Sequence, residues 1–244
     1  MDAGQVTVSD KTLDTLRAVG TPTLTGHLLD LGYRNTFMIG VEPLAVRSGQ
    51  QMLGRARTLR FIPYREDLVE AQYGSLTSSP HREALEAIGL GEVLVVDAGG
   101  SREAAVLGDM FTRRVMERGG TGVVIDGVVR DLSAIRGVGL PIFAGGIHGA
   151  GISRALMSVG RDEPIRCGGV PVIPGDVVVG DEDGVVVVPP HLADEVAVAA
   201  FEHQEEEVWI RERLKVGESL HDVYPPNAER RREMEAWMAE RRRR

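Results

Sequence analysis

Apolar residues recur at helical spacing in the segment Asp10–Gly32, and Gly20-Thr21-Pro22 interrupts this pattern. Two short helices are therefore predicted there. The segment Leu44–Ile62 alternates glycine turns with short extended stretches and predicts two strands. Helical spacing returns in Asp67–Ile88, with a break near Ser78-Ser79-Pro80. The first third of the chain is thus expected to supply short helices around two strands.

The middle of the chain has the most regular pattern. Short apolar runs, largely of β-branched residues, predict strands at Glu92–Val96, Gly122–Ile125 and Pro141–Ala144. Apolar residues at helical spacing predict helices at Gly108–Arg118 and Asp131–Val138 between them. Strands that alternate with helices in this way are typical of consecutive crossovers in a parallel sheet. The continuous apolar runs also fit strands that are covered on both faces.

The last third of the chain has a different pattern. In Val170–Pro190, valine-rich stretches alternate with Pro-Gly-Asp and Asp-Glu-Asp-Gly turns, which predicts antiparallel hairpins added to the sheet. The segment His191–Gly217 then predicts one long helix with an acidic centre. We therefore expect a single α/β domain over residues 1–217 and a charged C-terminal extension over residues 218–244.

Composition and charge narrow the possible classes of protein and partner. Of the 244 residues, 43% are hydrophobic and 26% are charged, as in an ordinary globular protein. No apolar run is long enough to span a bilayer, and the polar N-terminus lacks the pattern of a signal peptide, so a cytoplasmic protein is expected. The net charge of -8 argues against a nucleic-acid-binding surface. The basic run Arg241–Arg244 is interpreted as a solvated chain end.

Two segments at predicted strand and helix ends carry candidate chemistry. In parallel sheets, ligands bind beyond the carboxyl ends of the strands, where the first N–H groups of helices point at anions. The first segment is Leu107–Phe111, in which Gly108 permits close approach of the backbone. The N–H groups of Asp109, Met110 and Phe111 are expected to be free in the first helical turn. This segment is therefore a candidate carboxylate-binding turn.

The second segment, Asp126–Asp131, supplies a guanidinium and a carboxylate. Arg130 offers a planar cationic fork for a carboxylate or an enolate oxygen. Asp131 and Asp109 are hard oxygen ligands of the kind that Mg²⁺ or Mn²⁺ prefers. On the residues alone a second interpretation stays open, in which both aspartates cap or begin helices and Arg130 is a surface cation that pairs with them.

Other candidate residues are assigned mainly structural roles. Cys167, the only cysteine, is expected to be an inert, partly buried thiol. Asp176, Asp181 and Asp183 occur in turn-forming sequences, which favours a structural role over metal binding. His148, on a glycine-rich loop after a strand, is a weaker candidate for ligand contact.

The sequence around the two segments resembles a known family. Asp109 and Arg130 are separated by twenty residues, and Asp131 follows directly. This spacing resembles the signature of the 4-hydroxy-4-methyl-2-oxoglutarate aldolases, which share their fold with the regulators of ribonuclease activity. The similar segments are GDMFTRRVMERGGTGVVIDGVVRD, IRGVGLPIFAGG and PIRCGGVPVIPGDVVVGDEDGVVVVP, and the resemblance covers roughly residues 20–215.

The resemblance implies a fold and an activity. The implied fold is a layered α/β/β/α arrangement like that of swivelling domains, with a partly parallel central sheet, added antiparallel hairpins and a long C-terminal helix. The implied activity is cleavage of a 4-hydroxy-2-oxo acid, with a second carboxylate or a polyol end, to pyruvate and a second carbonyl compound. It would require Mg²⁺ or Mn²⁺, and oxaloacetate decarboxylation would be a side activity. The alternative is a non-catalytic regulator that binds a ribonuclease complex.

Roles for individual residues follow from the same resemblance. Asp131 would bind the metal, and Arg130 would contact the 2-oxo oxygen of the substrate. The backbone N–H groups of Gly108–Phe111 would hold its carboxylate, and Asp109 would position a water on the metal. These roles make Gly108–Asp131 the expected active site.

The resemblance also implies a homo-oligomer, either a trimer or a pair of trimers, with sites at subunit boundaries. An acidic residue of the long C-terminal helix, one of Glu205, Glu206 or Glu207, would reach the metal of a neighbouring subunit. We expect the far end of the substrate to be recognised by residues near Arg55–Arg65, by Ser75–Arg82, or by a second subunit.

Overall fold

The structure is a computed structural model that describes residues 7–72 and 79–243. The helices of these residues are α1 (Asp10–Arg17), α2 (Thr21–Asp30), α3 (Glu66–Gln72), α4 (Pro80–Ala87), α5 (Asp109–Glu117), α6 (Leu132–Val138), α7 (Ala193–Lys215), α8 (Leu220–Val223) and α9 (Ala228–Arg241). The strands are β1 (Glu42–Ala45), β2 (Met52–Pro63), β3 (Glu92–Asp97), β4 (Ala105–Leu107), β5 (Gly122–Val129), β6 (Ile142–Ile147), β7 (Leu156–Arg161), β8 (Ile165–Cys167), β9 (Val170–Val172), β10 (Val177–Asp181) and β11 (Gly184–Val188).

The breaks predicted between the N-terminal helices are confirmed where the structure describes them. Gly20 is the N-cap of α2, and proline follows in the first turn, which the fixed φ of proline favours. Ser79 caps α4 by accepting a hydrogen bond from the backbone N–H of Arg82. Ser78, the other residue placed at this second break, lies outside the described residues.

The parallel part of the central sheet contains the three strands that the sequence predicts there. β3 pairs in parallel with β5, and β5 pairs in parallel with β6. β2 joins this group by pairing in parallel with β3, and the strand order along the sheet is β1-β6-β5-β3-β2-β10-β11. β5 is buried along almost its whole length, which is the environment that a continuous apolar run predicts.

Antiparallel strands extend the sheet, and the predicted addition of a hairpin is confirmed for β10 and β11. β10 pairs with β2 and forms a hairpin with β11, while β8, which precedes the predicted segment, pairs with β9 in a separate two-stranded sheet. Two further strands differ from the sequence prediction. β4 has only three residues, too few to show a period, and β7 (LMSVGR), which pairs with β2, mixes polar and apolar residues.

Apolar side chains fill both faces of the sheet. Along β3, Leu94 and Val96 join a buried cluster with residues of α4, α5 and α6, whereas Val93 and Val95 join a second cluster with the β8–β9 hairpin. This alternation follows from the two-residue period of a strand. A third cluster packs α1, α2 and α7 against β10 and β11. The predicted layered α/β fold, with a partly parallel sheet and a long C-terminal helix, is confirmed.

The long helix α7 is covered along its length by different elements. Its first half buries Val196 against α1 and α2. Its second half buries Trp209 and Ile210 in a small separate cluster with Val223 of α8 and Met234 of α9. The residues after α7 therefore fold back onto it.

The described residues of the basic C-terminal run, 241–243, are exposed, and Arg242 among them has partners within the chain. Arg242 pairs with Glu202 and Glu205 of α7, at 3.4 and 2.9 Å. The side chain of Arg242 remains 48% exposed, as expected of a chain end, but its ion pairs were not predicted from the sequence. Among the described residues no helix combines the length and the apolar character that crossing a bilayer requires.

Candidate active site

The short strand β4 brings the two candidate segments together. β4 pairs in parallel with β5, so that Leu107 lies opposite Val129 and both strands end at the same edge of the sheet. The backbone N–H of Arg130 donates to the carbonyl of Leu107 at 3.0 Å, which fixes this juxtaposition. The predicted proximity of Gly108 and Arg130 is therefore confirmed, although α5 follows β4 rather than the longer strand β3.

Gly108 lies close to two functional side chains, although its backbone conformation does not require glycine. Its φ of -133° and ψ of -172° are accessible to any residue. A Cβ atom added to Gly108 would lie 2.7 Å from Oδ2 of Asp131 and 3.1 Å from Nε of Arg130. A larger residue at this position would therefore require these side chains to shift away from the start of α5.

The first turn of α5 presents N–H groups to a cavity. Gly108 is the N-cap and offers no side-chain acceptor to the N–H groups of Asp109, Met110 and Phe111. The carbonyl of Gly108 accepts hydrogen bonds from the backbone N–H and the hydroxyl of Thr112, at 3.0 and 2.9 Å, which holds the turn in place. Residues 108–111 and Arg130 line a cavity of about 190 Å³. This turn is therefore suited to binding a carboxylate.

Asp131 combines a left-handed backbone with a side chain that pairs with Arg130 and does not cap its helix. Its φ of 60° and ψ of 34° are left-handed, a conformation that non-glycine residues seldom adopt and that concentrates at functional sites. It occupies the N-cap position of α6, but its side chain makes no capping hydrogen bond. Oδ2 of Asp131 lies 3.3 Å from Nε of Arg130, and the two side chains are 42% and 49% exposed, respectively. Helix capping therefore does not account for this carboxylate.

The arrangement around Asp131 fits a hard divalent cation that keeps much of its own hydration. Among the described residues no group of three or more His, Cys, Asp or Glu side chains converges as a closed metal site. Mg²⁺ is commonly bound through one or two carboxylates, with waters and substrate oxygens completing its shell. Asp131 is a half-exposed carboxylate beside the first turn of α5, which is compatible with that requirement, and its binding of Mg²⁺ or Mn²⁺ stays a prediction.

His81 is a residue of the cavity that the sequence pattern does not single out. It lies at the start of α4, edge-on to the rings of Phe61 and Phe111, with centroids 5.2 and 4.9 Å apart. Burial, assisted by the positive charge of Arg82, lowers the pKa of His81 to about 4, so its ring is neutral near pH 7. His81 falls within the segment 75–82 that was expected to contact the substrate, although residues 75–78 lie outside the described residues.

The buried ring of His81 predicts a pH-dependent stability. Its pKa in the folded protein is about 4, below the ordinary value of 6.5, so between these values the unfolded chain binds the additional proton. We therefore expect the contribution of His81 to the free energy of unfolding to be complete above pH 6.5. This contribution should decrease by about 3 kcal/mol as the pH falls to 4. Urea unfolding across this pH range measures the effect.

Comparison with His81→Gln isolates this contribution. The control is needed because burial raises the pKa of Asp176 to about 6, which makes that carboxyl stabilise the fold increasingly as the pH falls. The difference in unfolding free energy between wild type and His81→Gln should shrink towards pH 4. A difference that stays constant with pH would contradict a buried neutral ring.

The acidic block of α7 does not contribute to this cavity within one chain. Glu207 pairs with His203 and Arg211 of the same helix, and Glu205 pairs with Arg242. None of Glu205, Glu206 or Glu207 is among the described residues that line the cavity. Their contribution to a neighbouring subunit stays a prediction.

The other candidate site residues make contacts within the fold. Asp181 accepts hydrogen bonds from the backbone and the hydroxyl of Thr21, and Asp176 accepts one from the backbone of Ile173, in agreement with structural roles. Nδ1 of His148 accepts from the N–H of Ala150 at 3.0 Å and so helps to order its own loop. Cys167 is fully buried, and burial raises the pKa of its thiol well above the ordinary value, as expected of an inert thiol.

The chain is thus an α/β protein in which an uncapped helix N-terminus, a guanidinium and an exposed carboxylate lie at one edge of the sheet. Residues 6–187 match the model of the RraA-like family, described as Aldolase/RraA. The chain therefore belongs to the RraA-like (aldolase/RraA) family, and the resemblance that the sequence segments indicated is confirmed.

Solved structures of relatives agree with this family. A Streptomyces coelicolor protein, described as an unusual member of the RNase ES inhibitor RraA protein family, is 37% identical, with a TM-score of 0.77 over 85% of this chain and 100% of that one. A structure from Pseudomonas syringae pv. tomato is 26% identical, with a TM-score of 0.76 over 89% of this chain and 98% of that one. The fold is thus shared along nearly the whole of both relatives.

A curated relative carries an enzyme name. A Halalkalibacterium halodurans protein named "Putative 4-hydroxy-4-methyl-2-oxoglutarate aldolase" is 38% identical over 115 residues. The match spans 47% of this chain and 54% of that protein, so it covers only about half of the relative's length. A Thermus thermophilus protein of the same name is 38% identical over 137 residues, which span 56% of this chain and 74% of that protein.

Proposed function

We propose that the protein is a divalent-metal-dependent aldolase that cleaves a 4-hydroxy-2-oxo acid to pyruvate and a second carbonyl compound. The main observation that supports the proposal is that Gly108 lies close to Arg130 and Asp131. These residues lie beside a cavity that is lined by the first turn of α5. An anion-binding turn, a guanidinium and an exposed carboxylate together suit a 2-oxo acid and a hard cation. The enzyme names of the curated relatives support the same activity.

Each part of the site has a role in carbon–carbon cleavage. The first-turn N–H groups of α5 bind the 1-carboxylate, and Arg130 stabilises the negative charge that develops on the 2-oxo oxygen. Asp131 would hold Mg²⁺ or Mn²⁺, which supplies Lewis-acid stabilisation of that same charge. Asp109, which lines the cavity, receives the proton of the 4-hydroxyl through a water. The C3–C4 bond breaks, its electron pair forms the pyruvate enolate, and protonation at C3 yields pyruvate.

A pyruvate-release assay tests the proposed function. It compares a panel of 4-hydroxy-2-oxo acids with Mg²⁺, with Mn²⁺ and with a chelator, and the expected result is release that depends on the metal. Oxaloacetate belongs in the panel because its decarboxylation passes through the same enolate. Absence of pyruvate from every substrate with either metal would refute the proposal.

Regulation of a ribonuclease is a second candidate function. It is favoured by the 37% identity to a described member of the RNase ES inhibitor family over that protein's whole length. A regulator of this kind would bind a ribonuclease without consuming a 2-oxo acid. The same pyruvate-release assay, carried out beside a ribonuclease-binding assay, therefore separates the two functions.

We further propose that the chain forms a trimer or a pair of trimers. The resemblance to the aldolases implies three subunits, and the exposed apolar residues of the chain support association of subunits. Val198 and Phe201 of α7 are 61% and 41% exposed, and Met110, beside the cavity, is 72% exposed. A neighbouring subunit that covers such residues removes apolar surface from water and closes the site.

Light scattering at micromolar concentration tests the assembly. We expect a mass of three or six times the 26.4 kDa of one chain. Val198→Glu should lower both the mass and the rate of pyruvate release, because it places a charge on the exposed apolar surface of α7. Glu195→Gln on the same helix is the matched control and should change neither. A fully active wild-type monomer would refute the assembly and the shared site.

A further inference from the structure

A second cavity adjoins the first. It has a volume of about 230 Å³ and shares the side chains of His81, Phe111 and Ile152 with the first cavity. A molecule whose carboxylate binds the first turn of α5 can therefore extend across this shared wall. The second cavity therefore offers a space for the part of a substrate beyond C4.

The described residues of the second cavity expose mainly apolar surface to it. Val69, Leu156 and Met157 add to the shared Phe111 and Ile152. The serine hydroxyls and the ring of His81 supply polar but uncharged groups. The one cation among the described lining residues is Arg82, which is exposed, so an ion pair formed there is screened by water.

The volume and the lining of the second cavity together indicate which chemical group it can bind. An apolar cavity of about 150 Å³ is known to bind benzene, so the larger second cavity has room for a phenyl ring or a branched alkyl chain. A carboxylate placed against the same wall would lose hydration without gaining a buried cationic partner among the described lining residues. The shape and the lining therefore favour an apolar group over a charged one.

We propose that the second cavity binds the distal end of the 2-oxo acid and that this end is an uncharged, apolar group. The proposal rests on the proposed function, because that function places the 2-oxo acid carboxylate in the first cavity. It also departs from the family resemblance, which implies a second carboxylate or a polyol end. The substrate class is then 4-hydroxy-2-oxo acids with an aryl or branched alkyl substituent at C4, and the second product is an apolar carbonyl compound.

Binding of two probes that aldol cleavage cannot consume tests the proposal. The probes are 2-oxo-4-phenylbutanoate, with an apolar end, and 2-oxoadipate, with a second carboxylate, and calorimetry in the presence of Mg²⁺ measures their Kd values. We expect the phenyl probe to bind about tenfold more tightly or better, as a well-filled apolar pocket allows. Tighter binding of 2-oxoadipate would overturn the proposal.

Two substitutions of Ser153, which lines only the second of these two cavities, sharpen the test. Ser153→Trp fills the cavity and should erase the preference for the phenyl probe, and Ser153→Lys should shift the preference towards 2-oxoadipate. Arg154→Trp is the matched control, because Arg154 is an exposed neighbour that lines neither cavity, and it should keep the wild-type preference. A preference that neither Ser153 variant changes would show that the probe binds elsewhere.

The probes separate this inference from the proposed function, because they bind without being cleaved. A protein that prefers the phenyl probe, but releases no pyruvate from any 4-hydroxy-2-oxo acid, would support the apolar cavity and refute the aldolase. Pyruvate release with a preference for carboxylate-ended substrates would support the aldolase and overturn the apolar cavity. Failure of both probes to bind would count against both.

Discussion

Replacing Asp131 with alanine is expected to abolish metal-dependent pyruvate release. Oδ2 of Asp131 would lie 2.7 Å from a Cβ atom added to Gly108, the side chain of Asp131 is half exposed, and helix capping does not occupy it. Removing it takes away the negative charge that would hold the cation next to the bound 2-oxo acid. Pyruvate release as a function of Mg²⁺ or Mn²⁺ concentration measures the loss, and calorimetric titration with Mn²⁺ measures metal affinity without turnover.

The backbone of Asp131 makes a second variant necessary. At a φ of 60°, alanine is expected to cost about 1 kcal/mol of folding stability, because the left-handed region crowds its Cβ. Asparagine tolerates this conformation and keeps the shape of the side chain while it removes the charge. Asp131→Asn should therefore keep the stability of wild type and still lose most of the metal affinity and the pyruvate release.

Asp162→Asn is the matched control. Asp162 is the other non-glycine residue with positive φ among the described residues, and it pairs with Arg57 and Arg161 instead of Arg130. Its replacement should leave pyruvate release unchanged. Full activity in both Asp131 variants would exclude this carboxylate from metal binding.

The sequence predicts those parts of the site that depend on local backbone and on strand order. The apolar runs at β3, β5 and β6 are long enough to predict parallel strands, and the carboxyl ends of such strands lie at one edge. Glycine before the first turn of α5 predicts close approach of the backbone, which is confirmed by the 2.7 Å that would separate a Cβ atom at Gly108 from Oδ2 of Asp131. Local rules are sufficient here because each feature depends on a few neighbouring residues.

Features that depend on contacts between distant segments are not visible in the sequence. β4 is only three residues long, and it becomes a strand because it pairs with β5. The low pKa of His81 arises from burial beside Phe61 and Phe111, which lie far away along the chain. The left-handed backbone of Asp131 likewise cannot be inferred from an Arg-Asp dipeptide. In each case tertiary packing determines the chemistry.

Replacing Arg130 with lysine is expected to lower turnover by about 100-fold or more, by analogy with removal of an oxyanion-hole donor. Lysine keeps the positive charge but lacks the planar fork that can contact Asp131 and a substrate oxygen at the same time. Nε of Arg130 lies 3.3 Å from Asp131, and a Cβ added to Gly151 would lie 3.1 Å from a terminal guanidinium nitrogen, so the half-exposed guanidinium lies close to both residues. Steady-state kinetics of pyruvate release measure the effect on kcat and on KM.

The division of that effect between kcat and KM identifies the role of the guanidinium. If Arg130 stabilises charge that develops on the 2-oxo oxygen, kcat and kcat/KM should fall together, whereas loss of ground-state binding alone would raise KM. Arg136→Lys on α6 is the matched control, because this exposed arginine donates only to the carbonyl of Leu44 among the hydrogen bonds of the described residues, and it should retain wild-type kinetics. Wild-type kcat in Arg130→Lys would show that charge alone is sufficient at this position and that the fork has no part in catalysis.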